Sequence, residues 1–190
     1  MKRGTRVTAL VAATVLGGAG TAAAAVPPGH SEYTVTGTTH IAKPDADLEL
    51  GPGKLAVDIG RGTFAGTFTL PPVEVTRPVP GVGRVGGTVT FGPGHAEGSV
   101  SGGFSGSASW PVKLSDVHVN GVPYDVGAKC GTAEPVTTEW TSDDFTVGKG
   151  GRVESTYTIG AFENCGSATP LINGFVPGDG NTLTLDLTPA

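Results

Sequence analysis

Apolar and polar residues alternate with a period of two along much of the chain from Tyr33 onward. In one stretch Leu55, Val57 and Ile59 fall on one face and Asp58 falls on the other. A repeat of two is typical of a half-buried β-strand. No stretch combines the i, i+3, i+4 apolar stripe with the caps of a helix of normal length. The pattern therefore predicts many short strands.

The composition agrees with short strands joined by tight turns. Gly (32) and Pro (15) make up about a quarter of the 190 residues, whereas their usual joint share is roughly 12%. Hydrophobic residues reach 37%, which is not typical of a disordered chain. We predict an all-β protein with a single-domain antiparallel β-sandwich, of the Ig-like or Greek-key type, over residues 33–190. Residues 26–32 would form an extended leader before it.

The strongest local signal is a hairpin between residues 112 and 127. The Asn-Gly pair at 120–121 is the preferred pair for a two-residue type I′ turn. This turn places Val119 opposite Val122 and His118 opposite Pro123. Because proline has no amide hydrogen to donate, the second strand is expected at a sheet edge or a bulge.

The same register would group three polar side chains on the other face of the hairpin. Asp116 would lie opposite Asp125, with His118 diagonal to Asp125. Two opposed carboxylates repel each other unless a cation, a proton or solvent separates them. We interpret this face mainly as a solvated outer surface, and the alternative is a cation or catalytic site.

The two cysteines, Cys130 and Cys165, predict one disulfide bond. If the chain is exported, its even cysteine count is best explained by pairing, and the sequence has no C-x-x-C spacing that would suggest redox or metal chemistry. The bond would close the loop between residues 130 and 165. In the chain-entropy model, closing a loop of this length stabilises a fold by about 4 kcal/mol.

Two segments of the chain resemble each other. Residues 62–73 read GTFAGTFTLPPV and residues 151–162 read GRVESTYTIGAF, and each segment is followed by VPG and a threonine-rich alternating strand. Two related halves are one explanation of this similarity. The alternative is that simple strand sequences resemble each other by chance.

The first 25 residues have the layout of a secretory signal peptide. Basic residues precede an uncharged stretch over 7–20, and small residues lead to Ala25. The uncharged stretch has about 14 residues, and a membrane-spanning helix needs about 20. We expect cleavage before Val26 and a secreted, extracellular protein with no membrane span after cleavage.

Charge and motifs exclude several classes of function. Cleavage removes three basic residues, which leaves nine Lys and Arg against 17 Asp and Glu, a net charge of −8. Such a chain is a poor partner for nucleic acid. The four histidines are far apart, and no G-x-S-x-G motif is present. We therefore assign no catalytic, cofactor-binding or metal-binding residue and expect no cofactor.

Two features leave their role open. Trp110 and Trp140 are interpreted mainly as core residues, with a ligand platform as the alternative. The glycine-rich segment 95–109 is either an irregular strand or a mobile loop.

A resemblance extends over most of residues 60–188. GTFTLPP, STYTIGAF, NGVPYDVGAKC, NCGSATPL and NTLTLDLTP together resemble uncharacterised exported β-rich proteins of high-GC actinobacteria. The resemblance implies an exported β-fold and no particular activity. We expect a non-enzymatic structural or interaction module with a protein or glycan partner. The alternatives are a carbohydrate- or small-ligand-binding sandwich and a hydrolase with its site around Asp116, His118 and Asp125.

Overall fold

The computed structural model describes residues 29–190, and the predicted signal peptide over 1–25 lies outside them. The described residues form fourteen strands and one short α-helix. In chain order these are β1 (Gly29–Ile41), β2 (Ala46–Gly60), β3 (Thr63–Thr69), β4 (Val73–Val79), β5 (Gly83–Phe91), β6 (Gly94–Ser99), β7 (Phe104–Trp110), β8 (Val112–Val119), β9 (Val122–Pro123), β10 (Gly131–Thr132), β11 (Val136–Ser142), β12 (Gly151–Ile159), β13 (Phe162–Glu163), α1 (Thr169–Phe175) and β14 (Gly178–Pro189).

The larger sheet closes on itself as an eight-stranded antiparallel barrel. Its strand order is β1-β14-β12-β11-β7-β6-β3-β2, and β1 pairs with both β14 and β2. The all-β prediction is confirmed, but closure of this sheet corrects the predicted β-sandwich. Alternation along a strand tells which side chains face inward, and this pattern is the same for a barrel and for a sandwich.

A second sheet packs beside the barrel. Its order is β13-β10-β8-β5-β4, and the short β9 pairs with β8 alone. The barrel encloses one apolar cluster that includes Trp140 and Leu187, each only 1% exposed. A second cluster, which includes Ile159 and Phe162, lies towards the second sheet. Val112 on β8 packs against both clusters, so the two sheets share a continuous apolar interior.

The glycine-rich segment 95–109 forms most of two paired barrel strands, β6 and β7, and the turn over residues 100–103 between them, where one irregular strand or a mobile loop was expected. Gly98 and Gly106 face each other across this pair. A β-carbon on either glycine would lie 2.8 Å from the ring of Phe64. These two glycines therefore leave the space that the Phe64 ring fills.

The predicted hairpin is confirmed at its turn. Val119 pairs with Val122 and His118 with Pro123, and both turn residues, Asn120 and Gly121, have positive φ, as a type I′ turn requires. The second strand, β9, lies at an edge, as the proline predicted. The strand β9 ends at Pro123. One further backbone hydrogen bond runs from the Tyr124 amide to the Val117 carbonyl oxygen at 2.7 Å, but the expected pairing of Asp116 with Asp125 does not form among the described residues.

The predicted disulfide bond is present between Cys130 and Cys165. Both cysteines are almost fully buried in the second apolar cluster. Cys130 directly precedes β10, and Cys165 precedes a 3₁₀ turn over Gly166–Ala168 that leads into α1. The bond therefore joins the start of β10 in the second sheet to the 3₁₀ turn that precedes the helix.

The start of the first strand and the placement of the two similar segments differ from the predictions. β1 begins at Gly29, inside the segment 26–32 that was expected to be an extended leader. The two similar segments contribute β3 and β12, both in the barrel, but the strands after their VPG motifs are β5 in the second sheet and β14 in the barrel.

No helix within residues 29–190 is long and apolar enough to cross a membrane.

Candidate functional site: an apolar cavity between barrel and second sheet

A cavity of about 230 Å³ extends from the inner face of the second sheet into the barrel. Strand alternation builds its outer wall, because alternate residues of β4 and β5, and residues of β8 on either side of a register shift, face inward and all but Arg77 lack a charge. Six of these residues are Val75, Val79, Val85, Val89, Leu114 and Val117. Most of them are only half-buried, so this face of the second sheet is incompletely covered by the rest of the protein.

Aromatic side chains form the inner end of the cavity. Trp110, Trp140 and Phe68 all line it. The Phe68 ring meets Trp110 edge-on at 5.4 Å between ring centroids and lies 5.8 Å from Trp140. Both tryptophans are buried, at 5% and 1% exposure, which confirms their assignment to the core. The same residues also give the cavity a spectroscopic reporter.

The mouth of the cavity lies beside helix α1. Leu171 and Phe175 on the helix and Tyr124 after β9 line the cavity, and each is between 37% and 39% exposed. Large apolar side chains that are both exposed and cavity-lining mark the place where the cavity opens to solvent.

Hydrogen bonds fix α1 at this position. The Asn173 side chain accepts a hydrogen bond from the Phe162 amide at 2.7 Å and donates one to the Phe162 carbonyl oxygen at 3.0 Å. The nearby Cys165 is held by the disulfide bond. The helix is therefore tied to β13 at one side of the mouth.

The few hydroxyl groups in the cavity wall are already satisfied. Thr39 donates to the carbonyl oxygen of Thr182 at 2.8 Å, so it accepts the hydrogen bond from the Tyr157 hydroxyl at 2.6 Å. Burial raises the pKa of the Tyr157 hydroxyl, and the hydrogen bond to Thr39 lowers it by less, so the net change is upward. The tyrosine therefore stays neutral at pH 7, and the wall carries no charge at this point.

Arg77 is the one charged residue among the described residues that line the cavity. It lies on β4 between Val75 and Val79, on the face that points toward the cavity, and it is half-buried. Within residues 29–190, no carboxylate forms a salt bridge with Arg77 and no acceptor takes a hydrogen bond from its side chain.

The structure brings the predicted cluster of Asp116, His118 and Asp125 into one open concavity of about 590 Å³ beside the β8–β9 hairpin. Their hydrogen bonds are local. Asp116 accepts from the Ser115 hydroxyl at 2.9 Å, His118 Nδ1 donates to the Asp116 carbonyl oxygen at 3.1 Å, and Asp125 accepts from the Gly127 amide at 2.8 Å. No hydrogen bond joins the three side chains to each other within the described residues.

A metal site is not formed there or elsewhere in the described chain. Residues 29–190 contain no group of three or more His, Cys, Asp or Glu side chains placed to hold a metal ion.

Sequence reasoning missed the cavity and the residues at its mouth. Arg77 interrupts an alternating series of valines, and a charge at an inward position was the available signal for it. A second signal was Pro170, because proline is favoured in the first turn of a helix. It could have located α1 and, with it, Leu171 and Phe175.

Comparison with known proteins adds no family to this description. No family model, no curated protein and no solved structure matches the chain. The chemistry of the cavity and its mouth is therefore the basis on which a ligand can be assigned.

Proposed function

We propose that this protein is an exported, non-enzymatic binding protein that holds a small lipophilic molecule in the cavity between barrel and second sheet. The observation that carries the proposal is the cavity itself, about 230 Å³ in volume and lined almost wholly by apolar side chains. Protein interiors are packed to crystal-like density, and voids larger than a water molecule are few. This cavity also opens to solvent, so its apolar wall is unfavourable in contact with water, and a lipophilic ligand that covers the wall offsets that cost.

The volume indicates the size of the ligand. An apolar cavity of about 150 Å³ stays free of water and binds benzene, which has six carbon atoms. In proportion, the cavity here would hold about nine or ten carbon atoms. Since the cavity opens beside α1, a longer chain could extend past Leu171 and Phe175 into solvent.

The lining favours a lipophilic ligand over a carbohydrate. A sugar needs hydrogen-bond partners for its hydroxyl groups, and burying them without partners costs free energy. The hydroxyls of Thr39 and Tyr157 already bond within the protein. Hydrolysis around Asp116, His118 and Asp125 receives less support, because these side chains bond locally and share no hydrogen bond within the described residues.

Export is part of the proposal. It is supported by the signal-peptide pattern over residues 1–25 and by the disulfide bond, since such bonds persist mainly in oxidising compartments. A carrier or scavenger of lipophilic molecules would act outside the cell, where these molecules have low solubility in water.

A homologous series of linear alcohols tests the proposal. Each buried methylene contributes about 0.8 kcal/mol, so the Kd should fall about fourfold per carbon and then level off near ten carbons. Titration followed by the fluorescence of Trp110 and Trp140 measures this dependence.

A pair of variants on one strand provides the control. Val75→Phe places a larger side chain in the cavity and should weaken binding of decanol at least tenfold, by excluding several methylenes at about fourfold each. Thr76→Phe adds the same group on the exposed face of β4 and should leave the Kd unchanged. Equal binding by both variants, or no dependence on chain length, would show that the cavity is not the binding site.

A further inference from the structure

We infer that the ligand is a single-chain amphiphile with a carboxylate head group, bound by Arg77 on β4 while its alkyl chain runs inward toward Trp110 and Trp140. This inference rests on the proposed function and names the ligand class for the same cavity. It requires three things of the structure: a cation on the apolar face, no internal partner for that cation, and an apolar path inward from it.

The cation sits on an otherwise apolar surface. Arg77 pairs with Val85 across β4 and β5, and Val85 pairs in turn with Val119 on β8. All three residues line the cavity. Because the lining is almost wholly apolar, Arg77 lines the cavity mainly with the carbon atoms of its side chain, and its guanidinium group is left to solvent and to anions that come from it.

That partner is not supplied by the described part of the chain. Within residues 29–190, one arginine forms a salt bridge: Arg152 pairs with Asp186 at 3.0 Å. No such bridge is formed by Arg77, although the mature chain is expected to be strongly acidic. The guanidinium is therefore available to an anion that enters from solvent.

The geometry of the group favours a carboxylate. A guanidinium presents two parallel N–H donors, which match the two oxygens of a carboxylate. A phosphate monoester carries more charge and more oxygens, and the lining near Arg77 offers no second cation for them. Because Arg77 is only half-buried, the bound carboxylate keeps contact with water and remains ionised.

The path inward from Arg77 is apolar. Val75 and Val89 lie between Arg77 and the aromatic end of the cavity, on the same face of the second sheet. With the head group outside at Arg77, the cavity volume accommodates about nine or ten carbons of chain. A saturated fatty acid of medium length fits these limits.

Bromine quenching of tryptophan fluorescence tests the inference with a matched pair of variants. Bromine quenches only at short range, so 10-bromodecanoate should quench Trp110 and Trp140 when its chain end lies at the inner end of the cavity. Arg77→Gln should weaken binding of this probe about tenfold. Arg84→Gln should not, since Arg84 lies in the same hairpin but is exposed and does not line the cavity.

A neutral probe separates the two proposals. 10-Bromodecanol should quench to the same extent in the native protein, Arg77→Gln and Arg84→Gln. If both probes bind and Arg77→Gln affects neither, the head-group assignment is wrong and the lipophilic cavity stands. If neither probe quenches, both proposals are wrong. If decyl phosphate or decyl sulfate displaces the probe more strongly than decanoate, the carboxylate assignment is overturned.

Two further readouts use the same protein. Raising the ionic strength should weaken 10-bromodecanoate binding in the native protein and have little effect in Arg77→Gln, because salt screens an exposed ion pair. Sedimentation should report the same monomer mass with and without the probe. A mass that doubles with concentration while quenching disappears would mean that a second copy of the chain covers Leu171 and Phe175 instead.

Discussion

His30 and Asp58 face each other across β1 and β2, and neither residue lines the cavity. His30 Nδ1 lies 3.0 Å from the Asp58 carboxylate, and this hydrogen bond is the main cause that raises the pKa of His30 above 6.5. Because the pKa of His30 is higher in the folded protein than in the unfolded chain, the His30–Asp58 pair contributes its full stabilisation below pH 6.5. That contribution is lost as the pH rises through the folded-state pKa.

We expect Asp58→Asn to lower the pKa of His30, as measured by NMR titration of its ring. Glu32→Gln should lower it less, because the effect of Glu32 is smaller than that of Asp58. A His30 pKa that is unchanged in Asp58→Asn would contradict the assigned contact.

Two glycines in the barrel wall give a second prediction for single residues. Gly98→Ala would place a β-carbon 2.2 Å from the Ser105 carbonyl oxygen and 2.8 Å from the Phe64 ring. The backbone or the ring must move, so we expect a loss of about 1–3 kcal/mol, measured by denaturant unfolding. Gly60→Ala has open space around the new methyl group and serves as the control, with a change within about 0.5 kcal/mol.

Helix α1 depends on the Asn173 side chain for its position. Asn173→Ala removes both hydrogen bonds to the Phe162 backbone, and each costs about 0.5–1.5 kcal/mol. We expect faster amide hydrogen exchange in α1, with the barrel strands unchanged.

Asn173→Asp tests the same contact in a graded way. The carboxylate keeps the acceptor for the Phe162 amide but loses the donor to the Phe162 carbonyl oxygen. Exchange in α1 should lie between that of the native protein and Asn173→Ala. Native exchange in both variants would mean that packing alone holds the helix.

Elements differ in how far the sequence predicts them. The β8–β9 turn was predictable because residues 120–121 specify it locally. The helix α1 was missed because seven residues are too few for a periodic stripe, although Pro170 marks its start. Arg77 was missed for another reason. Whether Arg77 faces a cavity depends on which surface Val75 and Val79 pack against. Contacts between residues far apart in the sequence decide that surface.

Closure of the barrel is a property of the whole molecule that alternation could not predict. It depends on β1 pairing with β14 at the other end of the chain, with Tyr33 opposite Pro189. The disulfide bond was predictable because two cysteines allow a single intramolecular pairing. The cavity was not, because it exists only where the second sheet meets the barrel.

Loss of the disulfide bond should affect the second sheet and α1 together. The variant with both Cys130→Ala and Cys165→Ala should be less stable by about 4 kcal/mol, measured by denaturant unfolding of oxidised protein. Binding of 10-bromodecanol should weaken as well, because Phe162 and Ala168, which line the cavity, lie close to Cys165. An unchanged midpoint would contradict a stabilising role for the bond.

The most direct test of the central claim is crystallographic location of a bound ligand. A crystal of the protein with 10-bromodecanoate should show an anomalous bromine peak inside the cavity beside Trp110 and Trp140, with the carboxylate at Arg77. A bromine peak on the outer surface, or a filled binding site elsewhere with the cavity empty, would contradict the account.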